Sequence, residues 1–380
     1  MSGFAATTAV ATLSARRFSR SPLLLAATAG LAVLWGSFPP LDAFDPVGAV
    51  RQGLSTVVSA LVAVCGTIAV AAVVRQGAAW RDSAAGRLRG PRLATAGELA
   101  GLSLAVLATA GAGALCGFAW IRLTGADPGR PVEEPFLRQV LWSNGSPHRI
   151  GPGETFVVKV RPDDAAFGAV ILDLGGRLVH APVAATTRSA DADDASVRLR
   201  WRAVGRPWRE DFLRTQRGRP ARASLPLSDE ARPLTAEVEI AITAPQGYAL
   251  KLGAGDAVVL GGRRPPLASL VRAALVVACG ALAAAGLLRL IADLCSPPVA
   301  VLGVLTVMLF AAAAEDVYGS ASLAAEVAGY LPGGGRFDAA SALRLGRAVG
   351  WSDVLSAALR AVSFLALASL TARRPSEATA

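Results

Sequence analysis

The residue types that usually carry metal or acid–base chemistry are sparse in this chain and lie apart. Its two histidines, His148 and His180, have no cysteine or carboxylate cluster at metal-ligand spacing, and we interpret both as surface or strand residues. The paired carboxylates Asp163 and Asp164, and those of segment 191–194, fall in turn-like sequence where exposure to solvent is the ordinary state. The sequence therefore predicts no metal site and no catalytic acid–base pair.

Motifs for nucleotide hydrolysis or covalent catalysis are also missing. A P-loop needs a lysine that follows Gly and precedes Ser or Thr, whereas Lys159 stands between two valines and Lys251 between two leucines. No Gly-x-Ser-x-Gly elbow occurs. Residues 144–146 fit the Asn-glycosylation pattern but precede Pro147, and we interpret the match as a coincidence. We expect the chain not to be an enzyme, to hold no cofactor and to have no motor of its own.

Charged residues in or beside apolar runs carry more information, because burial of a charge in lipid costs a few kcal/mol. Arg360 lies inside the run 354–370, and Glu315 and Asp316 directly follow the run 299–314. One interpretation pairs Arg360 with one of these carboxylates, which would hold two helices in register. The other interpretation is that the Arg360 side chain extends to the membrane surface.

Two further features of the apolar runs concern helix packing. Arg272 and Arg289 stand near opposite ends of one run and are interpreted as anchors that extend to the membrane surfaces. Gly113 and Gly117 are four residues apart, a spacing that lets a second helix approach closely. An equally acceptable interpretation of this pair is a helix that is merely rich in small residues.

The composition indicates a membrane protein. Apolar residues make up 53% of the 380 residues and charged residues only 17%, which is too apolar for a soluble domain of this length. A transmembrane helix needs about 20 apolar residues. Six runs approach or reach that length, although the fifth is somewhat short, and predict six spans: 22–38, 54–74, 99–121, 270–291, 299–314 and 354–370.

The loop between the second and third spans, residues 75–98, sets the orientation. It carries an excess of arginines, and loops rich in basic residues stay in the cytoplasm. Both chain ends are then inside. Because only two of the 38 basic residues are lysines, the composition is typical of a GC-rich bacterial genome, and we expect a multi-pass protein of the bacterial inner membrane. The pI near 10.5 does not indicate nucleic-acid binding, since no basic helix or aromatic-interleaved basic stripe is present.

Residues 122–266 differ from the rest of the chain. Short runs that mix apolar and polar residues alternate with turn residues, a pattern that favours an antiparallel β-sandwich. The predicted strands are 155–161, 169–174, 197–204, 235–244, 248–252 and 257–260. We therefore expect a membrane half at 1–121, an extracytoplasmic β-rich insert at 122–266 and a second membrane half at 267–380. Segment 317–351, broken by Pro332 and three glycines, is expected to be an external re-entrant or surface helix.

This layout resembles the permease subunits of type-2 ABC exporters, especially the branch labelled multi-copper-enzyme maturation permeases. The likeness lies in the spans around loop 75–98, in the corner at Ser296 and Pro297 with the proline that follows, and in segment 317–351 before the last span. The β-rich insert is not a general feature of that family.

The resemblance implies a homodimer or heterodimer of permeases in a lipid bilayer, driven by a separate cytosolic ABC-type ATPase that binds ATP. It implies an ATPase-coupling loop containing Arg75, Trp80, Arg81, Asp82, Arg87, Arg89, Arg92 and Glu98. The β-rich insert would capture the exported substrate or contact an envelope partner.

A function of a different class is also open. The chain would then be a membrane-anchored sensor or envelope assembly factor that binds its partner through the β-rich insert, with the spans as scaffold. An integral membrane enzyme is the third alternative, and no set of polar residues converging in the spans favours it.

Overall fold

The computed structural model describes residues 12, 46–81, 91–124, 137–146, 148–161, 169–180, 196–214, 221–227, 237–253, 256–318, 323–334 and 339–372. The predicted first span, 22–38, lies outside the described residues. The chain divides into two compact units. The helical unit comprises Met1–Pro135, Pro265–Ala313 and Val327–Ala380, and the β unit comprises Phe136–Arg264 with Ala314–Glu326.

Four helices are long and apolar enough to cross a membrane, at Val50–Val74, Thr95–Leu123, Pro266–Ala292 and Trp351–Thr371. They confirm four of the predicted spans as helices of sufficient length. The predicted fifth span is a shorter apolar helix, Pro298–Ala314. The full helices are α1 (Pro46–Arg81), α2 (Pro91–Thr124), α3 (Pro266–Ala292), α4 (Pro297–Tyr318), α5 (Leu323–Ala328), α6 (Ala339–Arg344) and α7 (Trp351–Thr371).

Helix α3 lies at the centre of the helical unit and packs against α1, α2 and α7. Its most apolar stretch is 72% buried, whereas that of α7 is 22% buried, so α3 is the inner helix and α7 a peripheral one. Helix α4 is apolar on exposed sides as well, since Leu302 and Leu309 are 63% and 71% exposed. Apolar residues all round a helix are typical of a lipid-facing environment.

Helices α1 and α2 meet at small residues. A Cβ atom on Gly117 would lie 2.5 Å from Val57 Cγ1, closer than real side chains approach, and one on Gly113 would collide with Leu61. The close-approach interpretation of this glycine pair is therefore confirmed, because a larger residue at either position would push the helices apart.

The described part of the β unit contains eleven strands that pair only antiparallel. They are β1 (Leu137–Ser143), β2 (His148–Ile150), β3 (Thr155–Val160), β4 (Ala169–Leu174), β5 (Arg177–His180), β6 (Ser196–Ala203), β7 (Arg209–Arg214), β8 (Ala221–Pro226), β9 (Val238–Thr243), β10 (Tyr248–Leu252) and β11 (Ala257–Arg264). The sheet orders are β1-β11-β4-β8, β2-β10-β5 and β3-β9-β6-β7.

All three sheets bury apolar side chains in one core. Leu172 of β4, Ile240 of β9 and Leu250 of β10 are fully buried in it. Alternation along β6 places Leu199 and Trp201 inside and the intervening arginine outside. The indole N–H of Trp201 donates to the Pro226 carbonyl oxygen at 3.0 Å, so this large core residue has its polar atom satisfied.

Candidate functional site

An apolar cavity of about 800 Å³, open on one side to the surface, lies among three helices of the helical unit. Its walls come from residues 62–74 of α1, 277–288 of α3 and 301–308 of α4, together with Gly333 and Gly334. Small residues on α1 and α3 leave this space, because alanine and glycine fill less volume than the valines and leucines beside them. The sequence analysis missed the cavity, and the only sequence signal for it is the small residues within the apolar runs.

Thr67 carries the only polar side-chain atom among the described residues that line the cavity. Its hydroxyl donates to the Ala63 carbonyl oxygen at 2.7 Å, one helical turn earlier. The described part of the walls therefore presents no side-chain hydrogen-bonding group that needs a ligand. Chemically, this cavity suits an apolar group and disfavours a charged or strongly hydrated one.

Residues 327–334 pack against the middle of α4. Gly333 has φ of +92°, and a Cβ atom there would lie 2.9 Å from the Met308 carbonyl oxygen, so both its backbone conformation and its surroundings require glycine. Met308 is near the centre of the 22-residue helix α4. The segment between α4 and α7 therefore folds back until Gly333 lies beside the midpoint of α4.

Arg360 of α7 lies over the ring of Tyr330, which belongs to segment 327–334. Its guanidinium carbon is 5.0 Å from the ring centroid of Tyr330, a cation–π distance. Arg360 is roughly 14 Å along α7 from Trp351, given a rise of about 1.5 Å per residue. Glu315 and Asp316 belong to the last turns of α4, and their side chains are not described. The pairing of Arg360 with either carboxylate stays a prediction.

The predicted loop 75–98 is helical at both ends, since α1 continues to Arg81 and α2 begins at Pro91. From the sequence we predict helical pieces at 77–85 and 95–101 of this loop, and the described residues of both pieces are helical. Arg75, Trp80 and Arg81 lie in the last turns of α1, and their side chains are not described.

The other predicted coupling residues are divided between described and undescribed positions. Asp82, Arg87 and Arg89 lie outside the described residues. Arg92 is exposed at the start of α2, whereas Glu98 is 9% exposed. Arg92 is therefore open to a partner and Glu98 belongs to the helical packing.

Of the two arginines of α3 that were expected to be surface anchors, Arg289 differs from the expectation. Arg289 is only 8% exposed, and its Nη2 lies 3.6 Å from Asp293 Oδ1, one turn further on. The sequence interpretation of Arg289 was therefore wrong, because it overlooked this acidic neighbour. Arg272 donates to the Val349 carbonyl oxygen at 3.3 Å and lies over the Trp351 ring.

In the β unit, the outer face of sheet β3-β9-β6-β7 carries charges that pair across strands. Glu239 accepts a hydrogen bond from Lys159, at 3.0 Å, and another from Arg202, at 2.6 Å. These bonds hold the pKa of Glu239 below its usual range and raise the pKa of Lys159. Arg198 forms a bidentate pair with Glu210, at 2.6 and 2.8 Å, which lowers the pKa of Glu210.

An arginine and tryptophan cluster lies beside these pairs. The guanidinium carbons of Arg200 and Arg202 are 5.2 and 4.5 Å from the ring centroid of Trp208. Phe212 on the next strand is 60% exposed. Arginine and aromatic residues are enriched at protein interfaces, so this face can serve for recognition. The sequence analysis missed it because pairing of β6 with β7 was not predicted.

Of the sequence-level candidates in the β unit, Asn144 and His148 have described side-chain contacts, and the side chain of His180 is not described. Asn144 is 6% exposed, its side-chain oxygen accepts from the Ala257 N–H at 2.8 Å, and its amide donates to the Gly253 carbonyl oxygen at 2.5 Å. This buried amide is unsuited to glycosylation, in agreement with the coincidental interpretation. The His148 ring stacks on Phe156 at 4.5 Å. Within the described residues there is no group of three or more potential metal ligands.

Comparison of the chain with protein-family models, curated proteins and solved structures finds no match.

Proposed function

We propose that this chain is the membrane-spanning permease subunit of a type-2 ABC exporter in the bacterial inner membrane. In this proposal the chain crosses the bilayer six times, both ends are cytoplasmic and the β unit is outside. A separate cytosolic ATPase supplies the energy, and two permease chains form the transport path.

The main support is the chain between α4 and α7. The resemblance implies a segment that enters the membrane from outside and returns before the last span. Gly333 against Met308 and Tyr330 beneath Arg360 are contacts near the middle of α4 and α7, which a helix lying on the outer surface would not make. A re-entrant segment needs protein around it, because exposed irregular backbone is costly in lipid.

The basic loop before α2 supports coupling to a partner. Arg92 is exposed at the start of α2, and Arg87 and Arg89 precede it in sequence. The chain has no P-loop, so any nucleotide-driven work requires a second protein. A loop with clustered positive charge suits a partner surface with complementary charge.

The test is co-purification of the full chain with an ABC-type ATPase from its native membranes in mild detergent. Charge reversal at Arg87, Arg89 and Arg92 should remove the ATPase from the complex. The matched control is Arg149→Glu, a reversal at an exposed arginine of the β unit, which should leave the complex intact. Absence of an ATPase from the wild-type complex would count against the proposal.

The sensor or assembly-factor alternative is favoured by one observation, the outer face with Arg200, Arg202 and Trp208. If that function is correct, Arg200→Glu together with Trp208→Ala should release an envelope partner while charge reversal in the basic loop changes nothing. If the chain is a permease, the loop variants should abolish export whatever the β unit binds.

A further inference from the structure

We propose that the cavity among α1, α3 and α4 binds one hydrocarbon chain of a membrane lipid. The inference rests on the placement of the helices in a bilayer, which is part of the proposed function, but it requires no ATPase partner. The proposed ligand of the helical unit is an acyl chain or another long apolar chain. This chain enters the cavity laterally, from the surrounding bilayer.

The chemistry of the walls selects this class. All described lining side chains except Thr67 are apolar, and the Thr67 hydroxyl is already bonded to the Ala63 carbonyl oxygen. A polar ligand would lose its hydration here without gaining hydrogen bonds. Apolar cavities remain dry and accept apolar guests. A hydrocarbon chain has no hydration shell or hydrogen bonds to lose when it enters the cavity.

The dimensions of the cavity fit one chain lying along the helices. The wall of α1 runs from Val62 to Val74, which corresponds to about 18 Å at the rise of an α-helix. One leaflet of a bilayer has roughly half of the ~30 Å hydrocarbon thickness, or about 15 Å. The cavity volume, about 800 Å³, also lies in the range of sites that hold small-molecule ligands.

The cavity is continuous with the apolar outer surface of the helices. Val62 and Leu305 line it and are still 47% and 49% exposed, so they form its rim. Beyond the rim, Leu302 and Leu309 extend the apolar surface of α4. A lipid chain can therefore move from bulk hydrocarbon into the cavity without crossing a polar surface.

A filled cavity is also expected from packing. The space opens to the outer surface of the helices, so the hydrocarbon that surrounds them in a bilayer would fill it, as close packing requires. A side chain from a second copy of the protein is the rival occupant, and the experiment distinguishes the two.

The probe is phosphatidylethanolamine with a diazirine on one acyl chain, added to bilayer discs of the same lipid that contain the full-length protein. After illumination, mass spectrometry should place adducts in peptides covering 62–74 and 277–288. Gly66 lines the cavity, and a Cβ atom there meets nothing within 4 Å. Gly66→Leu therefore fills the cavity without a clash at Cβ, and adducts at 277–288 should fall roughly tenfold, because added methylenes compete for one space.

Gly111→Leu is the matched control. Gly111 is also a helical glycine with no atom within 4 Å of a Cβ atom, but it lies on α2 and does not line the cavity. Its adduct pattern should equal that of the wild type. A second pair, Ala71→Leu in the cavity and Ala112→Leu on α2, keeps the test decisive if Gly66→Leu is poorly folded.

The proposal is overturned if both cavity variants keep wild-type adducts at 277–288, or if adducts occur only on outer residues such as Leu309. It is also overturned if Gly66→Cys copies cross-link to each other, since a second copy would then fill the space. Loss of ATPase co-purification with unchanged lipid adducts would contradict only the coupling part of the proposed function.

Discussion

The guanidinium of Arg222 forms two hydrogen bonds, at 2.6 and 2.9 Å, with the carboxylate of Asp173, which is 1% exposed. This pair links β4 to the edge strand β8. Asp173 is buried although it alternates with the core residues Leu172 and Leu174, and Arg222, whose side chain is 38% exposed, is a charged partner for this carboxylate. The pKa of Arg222 is raised by the same bonds.

Arg222→Met should therefore destabilise the β unit by about 1–3 kcal/mol, the cost of losing charge-assisted hydrogen bonds to a buried carboxylate. Hydrogen exchange of the full-length protein, resolved by peptide, should show faster exchange in β4 and β8. The control is Arg198→Met, because Arg198 and Glu210 are both substantially exposed and their pair should contribute little. Equal effects of the two substitutions would contradict the assigned role of Asp173.

The pairing of Glu239 predicts a pH dependence. Its folded-state pKa is lowered by Lys159 and Arg202, so the carboxylate stabilises the β unit above the unfolded pKa of about 4.3. That contribution is lost as the pH falls through the lowered folded-state pKa. The thermal midpoint of the wild type should therefore exceed that of Glu239→Gln at pH 7, and the difference should shrink below about pH 4. Tryptophan fluorescence of the full chain measures the thermal midpoints of the wild type and of Glu239→Gln. If the difference between them grew on acidification, the predicted direction of the pH dependence would be wrong.

The close approach of α1 and α2 predicts that Gly117 tolerates no larger residue. Gly117→Leu would force the new side chain into Val57 and should cost about 1–3 kcal/mol, as overpacking usually does. Heating the protein in detergent and following its monodisperse fraction gives the change in midpoint. Gly111→Leu, which meets open space on the same helix, should leave the midpoint unchanged or raise it.

The turn at Gly333 predicts a second intolerant glycine. Gly333→Ala combines an unfavourable positive φ with a contact on the Met308 backbone, and each effect costs about 1 kcal/mol or more. Protease accessibility of 327–334 should increase. Gly205→Ala is a useful comparison, because its φ is also positive, at +89°, but nothing lies within 4 Å of its Cβ position. The difference between the two variants isolates the contact with α4.

Membrane orientation is testable with single cysteines. In a background where the exposed Cys116 and Cys295 are replaced by serine, Arg87→Cys should react with an impermeant maleimide only after the cells are opened. His180→Cys should react in cells whose outer barrier alone is permeabilised. Labelling of both positions from the same side would remove the basis for the six-span topology.

Much of the fold is predictable because the signals that encode it are local and strong. The four long helices follow from apolar runs 54–74, 99–121, 270–291 and 354–370, each long enough or almost long enough to span a bilayer. Six strand predictions correspond to β3, β4, β6, β9, β10 and β11. The five strands that were missed, β1, β2, β5, β7 and β8, all lie at sheet edges. β7, with the sequence REDFLR, illustrates the reason: an edge strand has fewer buried positions, so the alternation of apolar residues is weak.

The candidate sites were less predictable, since they depend on residues that are distant in sequence. The cavity needs Gly66, Gly280 and Gly333 on separate elements to face one space. The cluster at Trp208 needs two arginines whose register is set by strand pairing. The misinterpretation of Arg289 has a local cause. Its partner Asp293 is only four residues away, but it lies beyond the end of the apolar run at 291 and was therefore not considered with it.

The apolar exterior of α4 has a consequence for how the chain is made. Leu302, Leu305 and Leu309 are each about half exposed or more, so a finished copy released into water would aggregate through this helix before it reached its destination. A nascent chain would therefore need this helix to be covered, by apolar surroundings or by a chaperone, from the moment it is synthesised.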